Sequence, residues 1–155
     1  MASCLSRAAM LAVFVLSLGA PMALAEDTVE TPTSSSSADF TKLKSMVDSG
    51  DYANALPALQ ALNAQSPNNP DVLNLIGFSL RKTGHADQAL DFYSKALALK
   101  PDHLGANEYL GELYLELKQP EKAKERLETL RQACGGTCEE FAELQEKIDQ
   151  AAAAQ

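Results

Sequence analysis

Residue types recur every 34 positions along this chain, beginning near residue 40. Ala55, Ala89 and Ala123 recur at that interval, and so do Gly77 and Gly111. A fixed period of about 20–50 residues indicates a solenoid, in which each unit packs only against its neighbours. Within each unit the apolar residues follow helical spacing. The same interval relates further residues: Met46, Leu80 and Tyr114; Leu59, Tyr93 and Leu127; Leu62, Ala96 and Leu130.

Small residues stand where helix packing and chain reversal require them. Gly77 and Gly111 are expected where the two helices of a pair approach closely, because a side chain there would force them apart. Gly50 and Gly84 are expected to end the first helix of a pair in a left-handed conformation, and Lys118 holds the equivalent place in the third unit. The sequence predicts three helix pairs, at 39–48 and 52–65, 70–83 and 86–99, and 104–117 and 120–134.

A seventh helix is predicted from 139 to 153. The last pair of a solenoid leaves an apolar face exposed, and a terminal helix with apolar residues at helical spacing can cover that face. The sequence therefore predicts an all-α fold of three helix pairs and a C-terminal capping helix. The residues expected to cover the last pair are Phe141, Leu144 and Ile148.

Residues 70–103 (PDVLNLIGFSLRKTGHADQALDFYSKALALKPDH) resemble a tetratricopeptide repeat, with the family's Leu, Gly, Leu, Gly, Ala, Tyr, Ala and Pro landmarks in order. Residues 104–137 carry most of these landmarks. Residues 36–69 match well in their second half and poorly in their first, where Leu43 replaces the expected small residue. The resemblance implies a right-handed superhelical solenoid and a protein that binds another protein or a peptide.

The first 25 residues do not belong to the predicted solenoid. An uncharged run follows Arg7, and Ala23-Leu24-Ala25 supplies the small-x-small pattern of a signal-peptidase site. The strongly apolar stretch from Ala8 to Leu18 would be only about 16 Å long as a helix, about half of a ~30 Å hydrocarbon core. This favours a cleaved signal peptide over a transmembrane anchor. We expect an exported chain that starts at Glu26 and does not insert in a membrane, in the bacterial periplasm or, alternatively, secreted.

Residues 26–38 (EDTVETPTSSSSA) are polar and almost without apolar residues. Such a segment buries too little apolar surface to offset its chain entropy, so we predict a flexible leader. The predicted organisation is a signal peptide at 1–25, the leader at 26–38, three repeats at 39–137, and a capping helix with its tail at 138–155.

Cys134 and Cys138 (CGGTC) bracket the turn between the third pair and the capping helix. An oxidising compartment, and the freedom that Gly135 and Gly136 give the chain to fold back, favour a structural disulfide. A redox-active pair is an open alternative, although thioredoxin-like sites have two intervening residues and a βαβ setting. A haem attachment is disfavoured because it normally needs His directly after the second cysteine, where Glu139 stands.

His85 and His103 are interpreted as surface histidines, because neither has potential ligands at a metal-ligand spacing. The sequence contains no Gly-rich phosphate loop, Ser nucleophile elbow or His-x-x-x-His pair. We therefore expect no enzymatic activity, no cofactor and no metal site.

In the tetratricopeptide family the ligand lies against the first helix of each pair, on positions that point away from the core. The 34-residue register transfers these positions to this chain. Two of its five Phe residues fall on them, which favours a functional groove over an ordinary surface. The predicted partner-binding groove consists of Phe40, Lys44, Asn74, Phe78, Arg81, Glu108, Tyr109 and Glu112.

The sequence argues against two classes of ligand. A net charge of −8 without a basic cluster argues against nucleic acid, whose phosphates need a clustered basic surface. The family's clamp for a partner's C-terminal carboxylate is also not expected, because its places hold Phe40, Lys44, Leu75, Gly105 and Tyr109. We expect a non-enzymatic adaptor or assembly factor in the cell envelope, monomeric or a weak homo-oligomer. The alternatives are a thiol-redox helper that uses the cysteine pair and a self-associating structural protein.

Overall fold

The computed structural model describes residues 33–154, so the predicted signal peptide and residues 26–32 of the leader lie outside the described residues. The described part is all-α and contains no β-strand. None of its helices has the length and apolar character that crossing a membrane requires. The seven helices are α1 (Thr33–Asp48), α2 (Tyr52–Gln65), α3 (Pro70–Lys82), α4 (Ala86–Leu99), α5 (Leu104–Glu116), α6 (Pro120–Cys134) and α7 (Glu139–Ala153).

The start of α1 differs from the prediction. Residues 33–38 were expected to belong to the flexible leader, whereas the helix begins at Thr33. The stretch from Thr33 to Ser49 contains neither Gly nor Pro, so nothing in it stops a helix that the packed residues further along have already nucleated. The low apolar content of this segment therefore did not exclude a helix.

The three turns within the helix pairs share one backbone geometry. Gly50 and Gly84 both have φ of 84°, which confirms the predicted left-handed residues, and Lys118 adopts a φ of 58° at the equivalent place. The N–H of the next residue returns to a carbonyl five positions back, from Asp51 to Met46 (2.9 Å) in the first unit. The same bond recurs in the other two units, so the turn geometry does not depend on glycine.

Each second helix packs between two first helices, which produces the solenoid: α2 contacts α1 and α3, α4 contacts α3 and α5, and α6 contacts α5 and α7. A Cβ added to Gly77 would lie 2.8 Å from the ring of Tyr93 on α4, as the predicted close approach requires. A Cβ added to Gly111 would lie 2.5 Å from the side chain of Leu144, so the nearest neighbour of this glycine is on α7 and not on its pair partner α6.

The C-terminal helix α7 closes the solenoid by packing on α5 and α6. Leu144 is fully buried and Ile148 is buried, while Phe141 packs against the same cluster from a half-buried position. These are the residues that the sequence assigned to covering the last pair. The helix also brings charged side chains to the face formed by α3 and α5.

Candidate functional site

The structure divides the predicted groove residues by their exposure. Phe40, Phe78 and Tyr109 are half-buried and Lys44 is exposed, so these four present surface to solvent. The other four are buried, so in the structure they do not present the open surface that the groove prediction expected. Their exposed fractions are 6% for Asn74, 8% for Arg81, 3% for Glu108 and 8% for Glu112.

Three half-buried rings, Tyr52, Phe78 and Tyr109, form an aromatic patch on the groove side of α3 and α5. The centroid of the Phe78 ring lies 4.5 Å from that of Tyr109 and 5.9 Å from that of Tyr52. The Lys82 Nζ atom lies 5.2 Å from the Phe78 centroid, within cation–π distance. Sequence reasoning missed Tyr52 and Lys82. It placed groove residues only on first helices, whereas Tyr52 begins a second helix.

Arg81 is held within the protein by an ion-pair network that joins three helices. Its Nη2 atom pairs with Glu112 Oε2, and its Nη1 atom lies 3.0 Å from Glu116 Oε1, both on α5. Lys147 on α7 lies 3.2 Å from the other oxygen of Glu112. The Arg81 side chain is only 3% exposed, and its guanidinium also lies 5.5 Å from the Phe78 centroid. Arg81 and Glu112 were predicted to bind a partner, but in the structure they form an ion pair with each other. The Arg81 guanidinium packs against the Phe78 ring of the aromatic patch.

Three carboxylates meet where α5 packs on α7: one oxygen each of Glu108, Glu112 and Glu143 lies within 4.8 Å of the others. Burial raises the pKa of Glu108 to about 9, and a hydrogen bond with Glu143 and the charges of Glu112, Glu143 and Glu140 add to this shift. Glu108 therefore keeps its proton at neutral pH. A divalent cation could take such a ligand set, but Glu112 is already neutralised by two cationic side chains.

His103 caps α5 and is only 7% exposed, so its interpretation as a surface histidine is wrong. Its Nδ1 atom accepts a hydrogen bond from the Ala106 N–H at 3.1 Å, which leaves Nε2 to donate to Asp71 Oδ1, also at 3.1 Å. The ring thereby ties the first turn of α5 to α3. His85 is exposed, as expected.

Asn74 lies beside the first turn of α5. A Cβ added to Gly105 would lie 3.1 Å from Asn74 Nδ2, and the Asn74 Oδ1 atom is buried without a hydrogen-bond partner among the described residues. The absence of a side chain at residue 105 lets α3 and α5 approach closely here. Asn74 therefore belongs to the interface between these helices.

Cys134 and Cys138 are joined in the structure, with their Cα atoms 5.9 Å apart. Gly135 (φ 67°) and Gly136 (φ 73°) are both left-handed, a conformation that other residues adopt only at a cost. The turn thus has the backbone geometry that the predicted disulfide needs. The redox state of the two thiols in the native protein stays a prediction.

Comparisons with known proteins agree with this architecture. A family model described as tetratricopeptide repeat matches residues 46–93 and 80–148. Human general transcription factor 3C polypeptide 3 is 38% identical over 88 residues, which are 56% of this chain and 10% of that protein, so the chain spans only about a tenth of that relative.

Solved structures extend the likeness to most of the chain. The Yersinia enterocolitica type III secretion translocator chaperone SycD has a TM-score of 0.70 at 15% identity, covering 81% of this chain and 88% of that chain. The same chaperone in complex with a peptide of the translocator YopD has a TM-score of 0.65 at 18% identity, covering 78% and 92%. The first TPR of Spaghetti (RPAP3), bound to the HSP90 peptide SRMEEVD, has a TM-score of 0.67 at 19% identity, covering 81% and 98%.

At these identities the structural likeness shows the fold alone. The family model, however, spans residues 46–148, which is more than half of the 155 residues. The 34-residue register, the alternating helix packing and this match lead to one conclusion. The chain belongs to the tetratricopeptide repeat family.

Proposed function

We propose that this protein is a non-enzymatic adaptor that binds a peptide segment of another protein against the aromatic patch. The observation that carries the proposal is the position of the patch: Tyr52, Phe78 and Tyr109 form a continuous, half-buried aromatic surface on the groove side of the solenoid. Aromatic side chains in such positions are the usual anchors of protein interfaces. Two structural relatives with the same fold contain a bound peptide.

The charges around the patch suggest the chemistry of the ligand. Lys82 and Lys44 are exposed near its α1 and α3 side. Toward α7 the exposed charges are the acids Glu116, whose side chain is 55% exposed, and Glu143, together with Lys147, which pairs with Glu112. A matching segment is apolar and acidic at one end and basic at the other. These exposed acids replace the buried Glu108 and Glu112 in the role that the sequence assigned to them.

The proposed ligand is an internal segment and not a chain end. Of the five positions at which the family clamps a C-terminal carboxylate, one holds a cation, Lys44. The other four hold Phe40, Leu75, Gly105 and Tyr109. Lys44 itself is paired with Asp48 at 2.7 Å. At these positions a terminal carboxylate could therefore pair with one cation, Lys44, whose charge is already partly neutralised by Asp48. The proposed partner is a protein and not a nucleic acid, and the adaptor is monomeric or weakly self-associating.

We further propose that the adaptor works in a bacterial cell envelope, in the periplasm. The support is the N-terminal sequence: a short apolar run that ends in Ala23-Leu24-Ala25. Intact-mass measurement on exported protein should find a chain that starts at Glu26. If residues 1–25 stay attached and the protein remains in the membrane fraction, the periplasmic assignment fails and the adaptor function is untouched.

The binding function is tested by replacing the central ring. A partner is first captured from the native envelope fraction with the mature chain and identified by mass spectrometry. Calorimetric titration should then show that Phe78→Ala weakens binding by more than about 1 kcal/mol, because aromatic anchors dominate interface energies. Helicity of the variant is measured under the same conditions, since Phe78 also packs against the core.

Phe92→Ala is a matched control for this titration. Phe92 is also half-buried and also has a lysine over its ring, with Lys95 Nζ 5.0 Å from the centroid, but it lies on the second helix α4. The Phe92→Ala variant should bind the partner with the affinity of the wild type. Wild-type affinity in Phe78→Ala, or equal losses in both variants, would show that the aromatic patch is not the binding site.

A further inference from the structure

The interface between α5 and α7 has more carboxylates than cations to pair with them. Glu108 and Glu112 on α5 meet Glu143 on α7, with oxygens within 4.8 Å of one another. Both neighbouring cations, Arg81 and Lys147, bind Glu112. None of the ion pairs between residues 33 and 154 includes Glu108 or Glu143. The contact between these two acids must therefore be held by something other than a salt bridge.

A shared proton can hold this contact. Glu108 is 3% exposed, so its ionised form would be removed from water and would face a second carboxylate. Burial, followed by the hydrogen bond with Glu143, raises the pKa of Glu108 to about 9. While Glu108 is protonated, it donates a hydrogen bond to the Glu143 carboxylate across the interface. When both are ionised, the same geometry is repulsive.

The other groups that face this contact do not supply a missing positive charge. Glu140, one turn before Glu143, adds negative charge. The guanidinium of Arg126 on α6 bonds Asn107 Oδ1 at 3.3 Å and not Glu108. The remaining titratable or charged neighbours of the contact are Tyr109 and Glu112 from α5 and Lys147 from α7. Behind Glu112 lie Arg81 from α3 and Tyr93 from α4.

From this arrangement we propose that α7 is a pH-sensitive latch: it docks on α5 while Glu108 and Glu143 share a proton, and it loosens when that proton passes to solvent. The ordinary glutamate pKa is 4.5 and that of docked Glu108 is raised to about 9. Between these values the undocked state binds fewer protons than the docked state, so docking weakens as the pH rises and is weakest above about 9. The turn at residues 134–138 connects α7 to α6, so the loosened helix stays next to the solenoid.

The latch is tested by hydrogen exchange with mass spectrometry on the whole chain, without any partner. Rates are corrected for the intrinsic pH dependence, and α4 is the internal reference. Relative to α4, the amides of α7 should lose at least tenfold in protection between pH 6 and pH 9.5. In Glu108→Gln the neutral amide donates to Glu143 at every pH, so the protection of α7 should be the same at both values.

Two further variants separate this contact from general charge effects. Glu143→Gln removes the charge from the other side of the contact, at an exposed residue, and should reduce the pH dependence without abolishing it, because Glu108 stays buried. Glu146→Gln removes an exposed charge from α7 outside the trio and should retain the wild-type pH dependence. The proposal is overturned if wild-type α7 is equally protected at both pH values, if Glu108→Gln still responds, or if Glu146→Gln behaves like Glu143→Gln.

Discussion

The front of the solenoid, α1 to α4, and its back, α5 to α7, are built on the same 34-residue register but use their groove positions differently. In the front, the groove side presents half-buried rings and exposed lysines, among them Phe78 and Lys82. In the back, the corresponding acids Glu108 and Glu112 are buried under α7. The front is therefore suited to contact a partner, with Tyr109 of α5 completing its aromatic patch, whereas Glu108 and Glu112 of the back contact the rest of the protein.

The difference shows that a repeat register defines where a residue sits in its unit but not what covers it. Arg81 occupies a groove position and still has a side chain that is 3% exposed, because α5 supplies two carboxylates to it. Lys44, on the groove side of α1, pairs with Asp48 on its own helix and stays 54% exposed. Neighbouring helices decide which of these two groove-side charges is available.

The largest expected effect separates these two kinds of charge. Glu112→Ala should reduce the free energy of unfolding by about 3 kcal/mol, because it leaves Arg81 buried without its main partner. Lys44→Ala removes an exposed pair and should change it by less than about 0.5 kcal/mol. Urea denaturation of both variants measures the difference. Similar small losses in the two variants would remove the distinction between front and back.

The second prediction concerns the two glycines at equivalent positions. Gly77→Ala and Gly111→Ala should each destabilise the fold by about 1–3 kcal/mol through overpacking. The loss should be larger for Gly77, because the ring of fully buried Tyr93 cannot move aside, whereas Leu144 has a flexible side chain. The same denaturation measurement applies. A larger loss at Gly111 would mean that α7 is packed more rigidly than α4.

The smallest expected effect concerns the turns. Lys118 has a left-handed φ of 58°, which costs a residue with a Cβ roughly 1 kcal/mol. Lys118→Gly should therefore stabilise the protein by up to about 1 kcal/mol, while Gly84→Ala, at φ of 84°, should destabilise it by a similar amount. Thermal unfolding should show shifts of opposite sign. A destabilised Lys118→Gly would indicate that the lysine side chain contributes more than its backbone strain costs.

The helices, their order and most of their bounds were predictable from residue spacing alone. The left-handed turns at Gly50 and Gly84, the close approach at Gly77 and the covering role of Leu144 were all predicted and found. These features depend on interactions within one 34-residue unit or between adjacent units. Such interactions follow from local residue spacing, which the sequence itself contains.

Which groove residues are accessible depends instead on how the helices pack together. The burial of Asn74, Arg81, Glu108 and Glu112 depends on how closely α3, α5 and α7 approach one another and on which charges α7 brings to the contact. Periodicity specifies the direction of a side chain from its own helix. The exposure and the charge state of that side chain are set by groups from other helices. The spacing of residues along the chain does not specify how far away in space those groups lie.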